Sequence, residues 1–205
     1  MPLPITRDES SKPKRKIPDH LIYEVMDGKP IYYRGYQSVL NKSKTLEDIM
    51  GCSSLQAVLI TYLLRVTFRA FDEKKYHVLT NEIGSHIDRN NNFSNDIAIF
   101  DKTVLTADKV NRKYTDVPPK LVIEIDTEAD TSELTGFGYV YKKSKKLLDF
   151  GVERIIWIMI NTQTVTVMEP GRDWQVREWN TDIELMPGHT FNIARYLDEE
   201  GIVVE

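Results

Sequence analysis

Apolar residues recur at spacings of three and four through residues 53–71, where Leu55, Val58, Leu59, Tyr62, Leu63 and Val66 form one broad stripe. That period belongs to a helix burying one side. Ser53 or Ser54 supplies the oxygen that caps its start. A second helical stretch is "GFGYVYKKSKKLLDFGV". At about 100° per residue, Phe137, Val140, Tyr141, Ser144, Leu147 and Leu148 gather on one side of it. Lys142 and Lys146 point away, Lys143 and Lys145 fall on the two margins, and Gly151 ends the helix as a cap. A shorter helix is expected in "LNKSKTLEDIMG", ending near Gly51.

Elsewhere the period drops to two. "KYHVLTNEIGSHI" and "FSNDIAIF" read as strands joined through "DRNNN", whose asparagines suit a turn. "PPKLVIEID" is a third strand, and "RIIWIMIN" is a continuous apolar run of the kind found in a sheet covered on both faces. At the front, "LIYEVMDGKPIYYRG" places Asp27-Gly28 between two short runs, a hairpin signal, and Pro30 confines its second strand to a sheet edge. At the back, "TVTVMEP", "WQVREW" and "IELMPG" read as a meander or extra hairpin. Helices mixed with strands in this order predict an α/β (α+β) fold.

Composition narrows the classes. With 205 residues the chain holds one substantial core, read as a basic arm over residues 1–20, including "KPKRK", and a single domain over residues 21–205. The net charge of -4 gives no global argument for holding a polyanion, so nucleic-acid binding must rest on local charge. Cys52 is the only cysteine, which excludes an intramolecular disulfide and a cysteine-based metal site and fits a reducing cytoplasm. No signal-peptide apolar region is seen at the start, and "LQAVLITYLLRV" is too short to span a bilayer. His20, His77, His86 and His189 are scattered without ligand spacing, and Trp157, Trp174 and Trp179 are assigned to packing.

The candidate chemistry starts from a misplaced charge. In "PPKLVIEID" Leu121, Ile123 and Ile125 point to one face, and Val122, Glu124 and Asp126 to the other. An ionised carboxylate on so apolar a strand is costly unless something compensates it. In "SNDIAIF" Asp96 shares a face with Ala98 and Phe100. If the two strands are neighbours, Asp96 and Glu124 meet, and like charges raise a pKa unless a cation sits between them. A hard divalent ion such as magnesium is the natural compensator. It also lowers the pKa of a bound water and stabilises charge on a phosphoryl oxygen. A lysine beside the pair would orient the attacking water. Two residues after Glu124 stands Asp126, but Lys143 can reach the site along its stem, with Lys145 as the second candidate.

The order helix, three strands, helix, strand, with Asn95-Asp96 on the second strand and "VIEID" on the third, resembles the PD-(D/E)XK nuclease superfamily. Within it, the chain is similar to the Uma-type restriction endonuclease family: Lys143 stands eight residues before Gly151-Val152, and "ERIIW" follows. The resemblance covers residues 21–170. It implies a restriction-endonuclease-like core, a mixed central sheet flanked by helices, with an N-terminal hairpin and a C-terminal β extension. It further implies a magnesium- or manganese-dependent endonuclease acting on DNA. Asp96 and Glu124 would be metal ligands, the Ile125 carbonyl would complete the coordination, and Lys143 would position the water. Many superfamily members add an acid from the first helix or first strand, for which Glu82 and Glu47 are the candidates and Glu82 is favoured.

The sequence departs from the family in Asn95 where proline is usual, in Arg154-Ile155-Ile156-Trp157 where Glu-Tyr-Trp is usual, and in the long acidic loop "TEADTSELTG". A catalytically silent module that keeps the fold to bind nucleic acid or a protein is the competing reading. The edge strand near Pro30 and the C-terminal hairpins are the candidate pairing surfaces of a homodimer.

Overall fold

A computed structural model of the chain describes residues 16–126, 129–132 and 134–204. Most of the basic arm, and three positions of the acidic loop, lie outside the described residues. Among the described residues no helix is long and apolar enough to cross a membrane.

The hairpin forms where Asp27-Gly28 predicts it. Strands β1 (Ile22–Met26) and β2 (Lys29–Tyr32) pair antiparallel across Asp27 and Gly28, both with positive φ, the geometry of a tight primed turn. Pro30 lies on β2, which ends the sheet. The stretch before Gly51 folds as two short helices, α1 (Tyr36–Leu40) and α2 (Glu47–Met50). Helix α3 (Ser54–Ala70) is capped by the Ser53 side chain, which accepts from the Gln56 amide.

Then come β3 (Tyr76–Asp88), β4 (Asn91–Asp101) and β5 (Leu121–Ile125), followed by α4 (Gly136–Phe150) and β6 (Arg154–Met159). Strands β7 (Thr164–Met168) and β8 (Gln175–Glu178) continue the sheet as a meander, with β8 at its far edge. Strands β9 (Ile183–Met186) and β10 (His189–Phe191) form a separate hairpin, and α5 (Ile193–Glu199), which the pattern did not predict, follows.

The sheet order is β2-β1-β4-β5-β6-β7-β8, with β3 also on β4; β5 and β6 are parallel and the other pairs antiparallel. This is the expected mixed sheet between helices. Leu59 and Leu63 of α3 pack with Ile97, Ile99, Ile123 and Ile156 on one face. Tyr139, Val140 and Leu147 of α4 pack with Val122, Ile155 and Trp157 on the other. Thus β6 is buried on both sides, as its unbroken apolar run predicts.

One feature of the topology makes the site. β3 follows β4 along its whole length, so β1 and β5 must share the opposite edge. β1 takes it at Asn92, and β5 at Ile97 to Ile99. The two strands diverge between those points and leave a fork in the sheet.

Helix α4 is rotated from its expected setting. Its buried residues are Tyr139, Val140, Lys143, Ser144 and Leu147, while Phe137 is 74% exposed and Tyr141 is exposed too. Lys143 therefore lies at the centre of the buried face, not on its margin. Counting apolar residues misplaces the stripe because a lysine with two buried carboxylates to meet belongs inside.

Candidate active site

The fork exposes the backbone of Ser94 to side chains in place of a strand. Its N–H donates to Glu24 Oε1 at 2.9 Å, and its carbonyl accepts from Lys143 Nζ at 2.6 Å. Glu24 comes from β1 and Lys143 from α4, on either side of the gap. Tyr139, one turn before Lys143, donates its hydroxyl to Glu24 Oε2 at 2.5 Å. Glu24 is thereby satisfied at both oxygens although almost wholly buried.

Lys143 is the hub. Its ammonium lies 2.8 Å from Glu24 Oε1 and 3.0 Å from Glu124 Oε1, with side-chain exposure of 1%. The rings of Trp157, Tyr139 and Phe93 stand 5.6, 5.9 and 6.0 Å from it, a spacing at which their faces favour a cation. Burial alone would lower the pKa of this lysine. The carboxylates of Glu124 and Glu24 outweigh it and hold the ammonium charged, above its ordinary range.

Glu124 and Asp96 meet as the strand register requires. Ile97 pairs with Ile123, so the next step along the two antiparallel strands brings Asp96 opposite Glu124. Asp96 Oδ2 accepts the Ile125 amide at 2.7 Å and so closes the end of the β4-β5 ladder. Glu124 is less well served. Its Oε1 is buried with no aligned hydrogen-bond donor, despite the nearby ammonium. Burial pushes its carboxyl up to about 8; Lys143 opposes this, while Asp96 and Glu24 add to it.

These groups enclose a cavity of about 10 Å³ lined by Tyr23, Gln56, Asp96, Glu124, Ile125, Asp126, Tyr139, Lys143 and Trp157. That is about the space of one water-sized sphere. Gln56, a buried polar residue on the apolar side of α3, donates through Nε2 to the Ile125 carbonyl at 3.1 Å. Asp126 leaves the strand with φ 56°.

Of the proposed site residues, Asp96, Glu124, Ile125 and Lys143 converge here. Lys145 is exposed on another side of α4, and Glu47 is exposed in α2. Glu82 sits at a β-bulge in β3, in left-handed backbone, outside the cavity lining. Its carboxyl is still pushed up, by partial burial and then by Glu24. Asn95 donates through Nδ2 to the Ile83 carbonyl and Ser85 Oγ, and so ties β4 to β3 beside that bulge.

No family model matches this sequence, and no curated protein matches it. Among solved structures, one from Anabaena variabilis ATCC 29413, described as a candidate nuclease belonging to DUF820, superposes with a TM-score of 0.62. The two chains share a fold. The match covers 85% of this chain and 89% of that chain at 14% identity, which leaves the chemistry to be argued from the site.

Glu24 and Gln56 are the site residues that pattern reading missed. A signal for Glu24 exists: in β1 it lies between Ile22 and Met26 on one face, a carboxylate among apolar neighbours, the same oddity that marks Glu124.

Proposed function

We propose that the chain is a divalent-metal-dependent nuclease of the PD-(D/E)XK type that hydrolyses phosphodiester bonds in DNA. The observation that supports this best is the convergence of Asp96, Glu124, the Ile125 carbonyl and Lys143 on one cavity at the fork of the sheet.

The donor set suits a hard cation. Two carboxylates, Glu24 and Glu124, share the Lys143 ammonium, the charge of Asp96 also acts on Glu124, and the Glu124 oxygen lacks an aligned donor. Among the described residues no three carboxylate, imidazole or thiolate side chains are gathered as a complete ligand set. Magnesium or manganese would therefore be held by Asp96, Glu124 and the Ile125 carbonyl, with waters and a substrate phosphate as further ligands, the manner in which magnesium is usually bound. Glu82 is the additional carboxylate this reading allows. Once bound, the ion would lower the pKa of a water and stabilise charge on a phosphoryl oxygen.

The chain's own residues supply position and charge. Asp96 fixes the Ile125 amide and Gln56 its carbonyl, so the strand end that carries the ligands is held from both sides. Lys143 keeps a permanent positive charge beside Glu124, able to offer a donor to an attacking water or a phosphoryl oxygen when one of its present acceptors lets go.

The second reading, a catalytically silent nuclease-fold module, is favoured by one observation: the buried Lys143 ammonium already donates to Glu24 and the Ser94 carbonyl and lies 3.0 Å from Glu124. Incubation with single-stranded and duplex DNA, in magnesium, manganese or chelator, separates the two. The nuclease reading expects cleavage by wild type with metal, none in chelator, and loss of cleavage in Asp96→Ala and Glu124→Ala. DNA left intact by the wild type under every condition favours the silent module.

A further inference from the structure

A larger groove opens beside the small cavity: Tyr23 lines both, and Glu24, which holds Lys143, lines the groove. It has a volume of about 640 Å³, within the range of small-molecule pockets. Its lining includes Tyr23, His86, Asn92, Lys113, Tyr114 and Asp116.

Tyr114 is held in an unusual way. Residues 113–116 run along the outer edge of β3, where the Thr115 amide donates to the Gly84 carbonyl at 2.9 Å and the Thr115 carbonyl accepts from His86 at 2.7 Å. This seats the Tyr114 ring directly on the backbone of Gly84. A Cβ added to Gly84 would lie 2.4 Å from the ring, so only glycine admits it. Tyr114 is nevertheless 51% exposed. An aromatic side chain pressed flat against bare backbone on one side and open on the other is a stacking platform with little conformational freedom to lose.

The position also matters. Gly84 pairs with Ser94, the residue whose backbone is gripped by Glu24 and Lys143. The platform thus lies one strand away from the buried charge cluster. Lys113 is the lysine of the lining, and the carboxylates of Asp19 and Asp116 oppose a chain of phosphates. Those carboxylates suit the exocyclic amine of a base. A base stacked on Tyr114 with one phosphate near Lys113 fits this mix better than a tracked backbone.

We propose that this groove takes an unpaired base of the substrate strand, stacked on Tyr114, next to the phosphodiester presented to Asp96 and Glu124. The proposal deepens the nuclease reading and rests on it for the identity of the ligand. A base inside a duplex has no free face to offer, so the groove selects single-stranded or locally opened nucleic acid.

The test measures binding of a fluorescent single-stranded DNA oligonucleotide and of its duplex in chelator, then cleavage of both in manganese. Tyr114→Ala should weaken single-strand binding about 5- to 150-fold, the effect of one stacked base. Tyr114→Phe should restore it. Gly84→Ala, which displaces the ring without removing it, should reproduce the loss, with thermal unfolding confirming that each variant is folded. Cleavage should show the loss in KM more than in kcat. Single-strand binding within twofold of wild type in Tyr114→Ala overturns the groove proposal, and if the wild type still cleaves, the nuclease reading survives it. Tyr114-dependent binding with no cleavage has the opposite outcome: the groove stands and the nuclease reading falls. A wild type that binds no single strand overturns the groove whatever else is seen.

Discussion

Removing the Lys143 ammonium would leave Glu24 and Glu124 facing one buried space and the Ser94 carbonyl without its donor. Breaking a buried ion pair from one side costs about 3–5 kcal/mol, so Lys143→Ala is expected to lose stability of that order in a urea titration. A loss under about 1 kcal/mol, the scale of an exposed pair, would contradict the burial described. Glu124 makes a pH prediction. Its carboxyl is pushed up to about 8 from 4.5, so between those values the folded chain holds a proton that the unfolded chain releases. Its contribution to stability is complete below about 4.5 and is lost as the pH climbs through about 8 in metal-free buffer. Thermal midpoints measured across that window should fall with pH in the wild type and fall less in Glu124→Gln. At this scale the two acid-bearing strands were legible because a charge on an alternating apolar strand is conspicuous. Glu24 carries the same signal but was passed over, since an acid in a short hairpin strand also fits an ordinary solvated edge.

The helices carry the second set of consequences. Gln56→Leu removes the donor to the Ile125 carbonyl and leaves a buried acceptor unpaired, which costs about 1–3 kcal/mol. Chemical unfolding measures that cost; no change would mean that the carbonyl has another partner. At the end of α4, Gly151 has φ 119°, and an added Cβ would lie 3.1 Å from Pro118. Gly151→Ala is therefore expected to destabilise by more than about 1 kcal/mol, readable in the same titration, and to disturb the helix that delivers Lys143. The helix periods, caps and hairpin turn were legible in the sequence because each is local. The rotation of α4 was not. Its apolar count pointed Phe137 and Tyr141 inward, whereas Lys143 and Tyr139 are drawn in by partners on β1 and β5, far away in the chain.

At the scale of the molecule, the fork between β1 and β5 assembles the candidate site. The strands and their sequence along the chain were readable from periodicity, but sharing one edge of β4 between two strands depends on where β1 docks, and β1 pairs with β4 at Asn92. No local pattern encodes that. The consequence is a sheet with a gap whose exposed backbone is gripped by Glu24 and Lys143, so that the buried Glu124 shares its one neighbouring ammonium with Glu24. Titration of manganese into the chelator-treated protein at pH 7, by calorimetry in buffers of different ionisation enthalpy, reads this directly. Binding to wild type should release a proton from Glu124 and should be abolished in Asp96→Asn. In Glu124→Gln the released proton should vanish and the affinity fall. No binding by wild type, or equal binding by all three proteins, would contradict a cation site at the fork.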